Sequence, residues 1–463
     1  MIASTEARGA TLFIHDAAVV TSDDSATVHD RGWVFVRGDV IEAVGAGDAP
    51  TGLGRVDVDI DGHGCAVMPG MVNGHTHLFQ TFFRGLGDDK TLLDWLRDYI
   101  WPAASLMTAE EAAAAATIGL LENLRSGATT VVDHQYIHPD PTIDDAVCAV
   151  AQRLGVRFVL ARGWADRNYE PRLQESVDVV LTRTQQVADR WHGSAQGRIR
   201  VETAPLIPWG CSDTAMVAAT AASRAWGGGM HVHCAETAVE VEMNLAERNT
   251  RHVAWLHSLG VLGPDTQLAH SIWLDDDELD LIAASGACVV HCPVSNMYLA
   301  SGIARVPDML RRGIPVALAS DGSGSNNRQD MFEAMKLAVL LQKVHHLDSI
   351  ILQPQDALRM ATRSGARAAG LESSIGAIEP GRQADLVVVD LRSVFVAPVH
   401  RVVSSLVFNV TPRDVRDVVV DGRVLIRNRG FVHVDEQAEL ARAVELCAGL
   451  FRRAGFTSAV TRA

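Results

Sequence analysis

Two histidines one residue apart, His75 and His77, follow the run Met68-Pro69-Gly70-Met71-Val72-Asn73-Gly74. The preceding Gly64-Cys65-Ala66-Val67-Met68 reads as a short apolar strand that Pro69-Gly70 bends or breaks. On an extended backbone residues i and i+2 project to one face, so these imidazoles can grip one transition-metal ion. Such an ion needs one or two further protein ligands and an open position for water. Downstream, His233, His270, His291 and Asp321 each stand at the end of an apolar strand-like run. One strand-end histidine is more often a hydrogen-bonded structural residue than a ligand. A series of them on successive strands points to metal chemistry.

The elements that must position these residues are legible as a repeat. Strand candidates are Thr129–Asp133, Arg157–Ala161, Arg200–Ala204, Met230–His233, Gln267–His270, Cys288–His291 and Val316–Asp321, with Ala/Leu/Glu-rich helical stretches between them. With the strand at residues 65–68 they make about eight, the number that closes a (β/α)8 barrel, whose chemistry sits at the C-terminal ends of the strands. Residues 1–67 look all-β, and β character returns after 370 in Ala384–Asp390 and Val415–Gly422. The expected α/β architecture is therefore a TIM-like barrel over residues 68–370 and one small β-sandwich domain built from both termini, 1–67 and 371–463, with a terminal helix from Asp435 to about Arg453.

Composition narrows the classes. The chain has 463 residues, 48% hydrophobic, and a net charge of −15. The spread acid excess argues against nucleic acid or an anionic membrane as partner. No apolar run is long enough to span a bilayer, and Met1–Glu6 lacks the basic and apolar regions of a leader, so a cytoplasmic protein is expected. The seven cysteines are scattered and contain no C-x-x-C pair, as expected of free thiols in a reducing compartment.

These motifs carry a family resemblance. Pro69-Gly70-Met71-Val72-Asn73-Gly74-His75-Thr76-His77, His233-Cys234-Ala235-Glu236, Ala269-His270, His291-Cys292-Pro293-Val294-Ser295-Asn296, Ser320-Asp321-Gly322 and the tail Gly376–Leu386 occur in the order seen in the amidohydrolase superfamily. The chain resembles its cytosine deaminase, chlorohydrolase and nucleoside deaminase-like branch over nearly its whole length. The resemblance implies that His75, His77, His233 and Asp321 bind one divalent metal, zinc before iron. A binuclear variant of the fold uses a carboxylated lysine. The three lysines here, Lys90, Lys336 and Lys343, lie on no strand candidate, which favours one metal.

By the same resemblance Asp321 accepts the proton of a metal-bound water, His270 orients that water, and Glu236 relays a proton to the ring nitrogen beside the attacked carbon. An acidic residue at 236 can equally start and cap a helix. Gln80, Trp95 and Trp209 are candidate contacts to a planar heterocycle, Trp95 and Phe82 being as readily core. Arg162 is a candidate contact to an anionic or carbonyl group, or else a salt bridge. His134 also ends a strand, in a segment similar to one in 8-oxoguanine deaminases. Asn326 and Asn327 are expected to organise the loop behind Asp321.

The implied activity is hydrolytic deamination of a small aromatic N-heterocycle, with release of ammonia. Adenosine-type members carry a His where this chain has Leu206, which favours a free ring (8-oxoguanine-like purine, pterin or triazine) over a nucleoside. The alternatives are a triazine chlorohydrolase or alkylaminohydrolase, an S-adenosylhomocysteine or methylthioadenosine deaminase, and, from another class, a silent metal-stabilised scaffold. A homo-oligomer is implied by the resemblance alone.

Overall fold

The computed structural model describes residues 10–50, 52–54 and 56–456. The Met1–Glu6 segment read above lies outside them. Eight parallel strands follow one another in chain order around a barrel: Met71–Thr76, Ala128–Gln135, Arg157–Trp164, Ile199–Pro205, Met230–Cys234, Thr266–His270, Cys288–His291 and Val316–Leu318. The hydrogen-bond ladder is interrupted between the eighth strand and the first, where the Asp321 N–H donates to the His75 carbonyl at 3.0 Å. One side chain set, including Val131, Phe158, Val201, Val232 and Leu268, packs against the helices, while Val72, Val132, Val159, Ala161 and Ala204 form a separate cluster. This alternation is the period-two pattern of a strand with both faces buried.

The terminal segments build one nine-stranded sheet. Thr11–Val20 pairs antiparallel with Val28–Arg37 and parallel with Cys65–Pro69, which in turn pairs with Leu386–Asp390. The sheet curls until its edge meets its middle: the Ile41 N–H donates to the Arg382 carbonyl and the Ala384 N–H to that of Asp39. Ile14, Val34, Ile60, Val67, Leu386 and Val419 thereby share one core, so the sandwich is a single sheet folded on itself.

The strand at Cys65–Pro69 corrects the expected count: it belongs to this terminal sheet, and the first barrel strand begins after Gly70. A Cβ on Gly70 would lie 2.1 Å from the Thr129 hydroxyl, so only glycine lets the chain cross from sheet to barrel there. At the other boundary Leu371 and Ile375 still pack with Val72 and Val159, a few residues past the expected limit at 370. The terminal helix Glu436–Arg453, capped by Asp435, packs on the barrel helix Ala109–Arg125 rather than on the sheet; Arg453 pairs with Glu111 at 2.7 Å and Phe451 meets Phe83 edge-on. Among the described residues no helix is long and apolar enough to cross a membrane, and all seven cysteines are free.

A buried ion-pair network ties barrel to sheet. Arg157, on the third barrel strand, donates two parallel bonds of 3.0 Å to Asp385, and one of 3.2 Å to Asp421. Asp421 also accepts from Arg198 at 2.8 Å, and its own N–H donates to Asp385. Removing one partner leaves buried charge without compensation. Asp385→Ala should therefore cost about 3–5 kcal/mol of unfolding free energy in a denaturant titration. A loss below about 1 kcal/mol, the scale of a surface pair, would refute this role.

Candidate active site

The barrel gathers His75, His77, His233, Glu236, His270 and Asp321 at the C-terminal ends of its strands, all buried. His77 sits just beyond the first strand and His233 within the fifth; the last strand ends at Leu318, three residues before Asp321. Three strand-end residues, Ala235, His270 and Asp321, hold φ of 46°, 66° and 62°. Left-handed backbone at non-glycine residues is costly and concentrates at functional sites, where it aims side chains the regular strand would misdirect.

Each histidine that could ligate an ion has its other nitrogen committed. His77 Nδ1–H donates to the His134 carbonyl at 2.7 Å and His233 Nδ1–H to the Leu206 carbonyl at 2.6 Å. Both Nε2 atoms are then lone-pair acceptors, and they lie 3.3 Å apart with no proton to share. His75 Nε2 is buried with no hydrogen-bond partner and lies 3.5 Å from Asp321 Oδ1, which is 3.4 Å from His77 Nε2. A tetrahedral ion with bonds of about 2.0–2.1 Å spaces its ligand atoms by roughly 3.3–3.4 Å. The spacings of His77 to His233 and of Asp321 to His75 and His77 match such an ion, and the donor set suits a divalent cation. Burial and the neighbouring imidazoles push His75 and His233 well below the usual histidine range, keeping them in the neutral, ligating form. Asp321 is held below its ordinary value: burial raises it, and His270, His77 and a Ser295 hydroxyl bond of 2.5 Å outweigh that.

Beside this cluster, His270 donates Nδ1–H to Asn296 at 2.9 Å, which turns Nε2 toward Glu236 and Asp321, at 3.6 and 3.9 Å. Burial pushes the Glu236 carboxyl up to about 8, against the opposing pull of His270. Its weak partner is the Ser301 hydroxyl at 3.5 Å. Glu236 does not cap a helix: the next helix, Ala238–Arg248, is capped by Thr237 with Glu240 in a capping box. A buried carboxyl that keeps its proton near neutrality, next to an imidazole and a carboxylate that does not, is an acid/base arrangement.

These groups open on a cavity at the barrel mouth. Gln80, Trp95 and Trp209 line it, as do His77, His233, Glu236, His270 and Asp321. Gln80 donates to the Tyr136 hydroxyl at 3.0 Å and leaves its own oxygen unpartnered; Trp209 is braced by Glu240 at 3.2 Å. Phe82 is buried core and does not line the cavity. Arg162 is a correction: its guanidinium is buried in ion pairs with Asp144 and Glu175, each at 2.9 Å, and it is absent from the lining. Those carboxylates compensate the buried cation, so it is neither a substrate contact nor a surface salt bridge.

His134 stands behind the ligands, its carbonyl orienting His77, and His291 is buried with neither ring nitrogen bonded. Asn326 donates to the Ser320 carbonyl at 2.6 Å and Asn327 accepts from the Gly85 N–H, the loop-organising part expected of them. Leu92 and Leu96, in the segment that resembles the family's substrate-covering helix, line the cavity as well; sequence reasoning missed Tyr136, Tyr169, Ser325 and the apolar walls Ile207 and Leu299. Tyr136 had a signal, two residues beyond the strand-end His134; Tyr169 arrives on a loop that no periodicity marks.

A full-length relative, the 5′-deoxyadenosine deaminase of Methanosarcina mazei, is 36% identical over 96% of this chain and 99% of its own. The 5-methylthioadenosine/S-adenosylhomocysteine deaminase of Syntrophomonas wolfei is 33% identical over 94% and 98%. Among solved structures, an adenosine deaminase from Xanthomonas campestris with bound zinc superposes with a TM-score of 0.89 at 31% identity, covering 96% of this chain and 99% of that one. An atrazine chlorohydrolase from Arthrobacter aurescens complexed with zinc, at 24% identity and TM-score 0.89 over 94% and 100%, shares the fold. The amidohydrolase family model matches residues 66–425, a span that contains every site residue above, and the chain belongs to that family.

Proposed function

We propose that this protein is a hydrolytic deaminase that replaces the exocyclic amine of an aromatic N-heterocycle with oxygen and releases ammonia, using one zinc ion. The observation that carries the reading is Glu236: a buried carboxyl pushed up to about 8, facing His270 Nε2 at 3.6 Å on the wall that also presents His77, His233 and Asp321. His75, His77, His233 and Asp321 would hold a divalent ion, which would supply a water of lowered pKa. Asp321 accepts the water's proton, with His270 holding the attacking oxygen in line. Glu236 gives its proton to the ring nitrogen next to the attacked carbon, so that the developing negative charge is neutralised as it forms. The C–N bond to the amine would then break, the amine taking the proton held by Asp321 and leaving as ammonia, while the hydroxyl proton of the intermediate returns to Glu236 and leaves a ring carbonyl.

Two observations bear on the ring. The full-length relatives are named for adenine nucleosides altered at the 5′ position, which supports a 6-aminopurine nucleoside modified at that position. Trp209 also lines a surface groove with Leu93, Trp101, Asn168 and Met243 beside the cavity, the side on which a ring substituent would find apolar contacts. Leu206 favours the second reading, a free heterocycle such as 8-oxoguanine, a pterin or a triazine: it lines the cavity and offers no polar side chain to a sugar.

Three measurements test this. Zinc-loaded protein offered 5′-deoxyadenosine, methylthioadenosine, 8-oxoguanine, pterin and chlorotriazines should release ammonia from at least one aminated ring; chloride release from a triazine without ammonia would replace deamination by dehalogenation. Glu236→Gln should keep the zinc stoichiometry and lower kcat by roughly 10²–10⁴; unchanged turnover would remove Glu236 from the reaction. Dialysis against a chelator should abolish activity and lower the Tm, zinc restoring both, since an ion bound only to the folded state stabilises it. Full activity in the chelated protein would contradict the metal-dependent reading.

A further inference from the structure

Below the cluster, a line of polar side chains descends through an otherwise apolar barrel interior. His75 Nδ1 lies 2.7 Å from His231 Nε2, with the two rings nearly coplanar. His231 Nδ1 lies 2.8 Å from Gln267 Oε1, and Gln267 Nε2 donates to Glu202 Oε2 at 2.7 Å. All four residues are buried, Glu202 being 2% exposed. They come from four strands, the first, fourth, fifth and sixth. None of His231, Gln267 or Glu202 lines the cavity.

The order of donors in this line has one direction. In its ionised form, the state favoured at pH 8, the Glu202 carboxylate only accepts, so Gln267 turns its NH₂ to Glu202 and its oxygen to His231. That oxygen also only accepts, so His231 carries its proton on Nδ1. A neutral His231 then has a bare Nε2, which must accept from His75 Nδ1–H. The proton of His75 is thereby placed on Nδ1, and its Nε2 lone pair is left facing Asp321 and His77. His77 and His233 achieve the same end in one step, through backbone carbonyls. His75 has no carbonyl on Nδ1 and takes its orientation from Glu202, three hydrogen bonds away.

We propose that Glu202, acting through Gln267 and His231, is a positioning residue that fixes the tautomer of His75 and holds its Nε2 on the ion site. The inference rests on the reading of His75 as a ligand. As mere core filling the line would be costly. Glu202 is taken out of water with its carboxyl pushed up to about 7 by burial, and apolar side chains would fill the same space, as Val132, Val159 and Ala161 do on neighbouring strands. Outer partners of metal-ligating histidines set ring orientation and basicity, and losing one weakens metal binding roughly 10–100-fold.

The test compares the wild-type chain with Glu202→Gln and Gln267→Met at pH 8. It measures zinc affinity by chelator competition, the visible bands of the cobalt-substituted protein, and the Tm of the metal-free protein. Glu202→Gln keeps shape but can satisfy the Gln267 amide in either orientation. Zinc affinity should fall roughly tenfold or more in both variants, with altered cobalt bands. Unchanged affinity and bands, with only the metal-free Tm lowered, would make the line a structural strut and overturn the proposal. Neutron diffraction from unmutated zinc-loaded crystals provides a reading free of any folding defect: deuterons are expected on Nδ1 of both His75 and His231, and a deuteron on His231 Nε2 overturns it. Failure of the wild type to bind zinc at all would instead strike the reading of His75 as a ligand.

Discussion

His77 and His233 face each other with their Nε2 atoms 3.3 Å apart, and each donates its Nδ1–H to a backbone carbonyl. Two lone pairs at that distance, in a buried site, repel unless a cation lies between them. The unpartnered Nε2 of His75 and the Asp321 carboxylate converge on the same space. Burial makes the arrangement steeper, because it removes the water that would otherwise satisfy these groups and keeps the imidazoles neutral. The fold thus builds a buried donor set suited to a cation, with Glu236 and His270 beside it.

The same logic explains why Glu236 and Asp321 differ though both are buried carboxyls. Asp321 faces several imidazoles and accepts from Ser295 Oγ and the Gly322 N–H, so its charged form is favoured. Glu236 has one imidazole at 3.6 Å and a weak hydroxyl bond, so burial dominates and the proton stays. Two carboxyls with their proton affinities driven apart by environment form an acid and a base in one cavity. The packed barrel makes this possible by fixing the donors; the cavity walls, drawn from loops and from the helix around Leu92–Leu96, set only what ring can enter.

Much of this was legible in the sequence because strand ends in a barrel converge. The i, i+2 spacing of His75 and His77, and the ordered appearance of His233, His270 and Asp321 on later strands, need no tertiary information beyond the closure itself. The ambiguities arose where two outcomes share one local pattern. Cys65–Pro69 is an apolar strand whether it joins the barrel or the terminal sheet, and only its pairing with Leu386–Asp390, more than three hundred residues away, decides. Arg162 stands at a strand end like a ligand, but Asp144 and Glu175 reach it from other elements.

Anomalous diffraction at the zinc absorption edge, on crystals of the protein grown with zinc, tests the central claim most directly. The account predicts one strong peak per chain, bounded by the Nε2 atoms of His75, His77 and His233 and by the carboxylate of Asp321. Two peaks in the barrel mouth, or a single peak away from these four side chains, would contradict it.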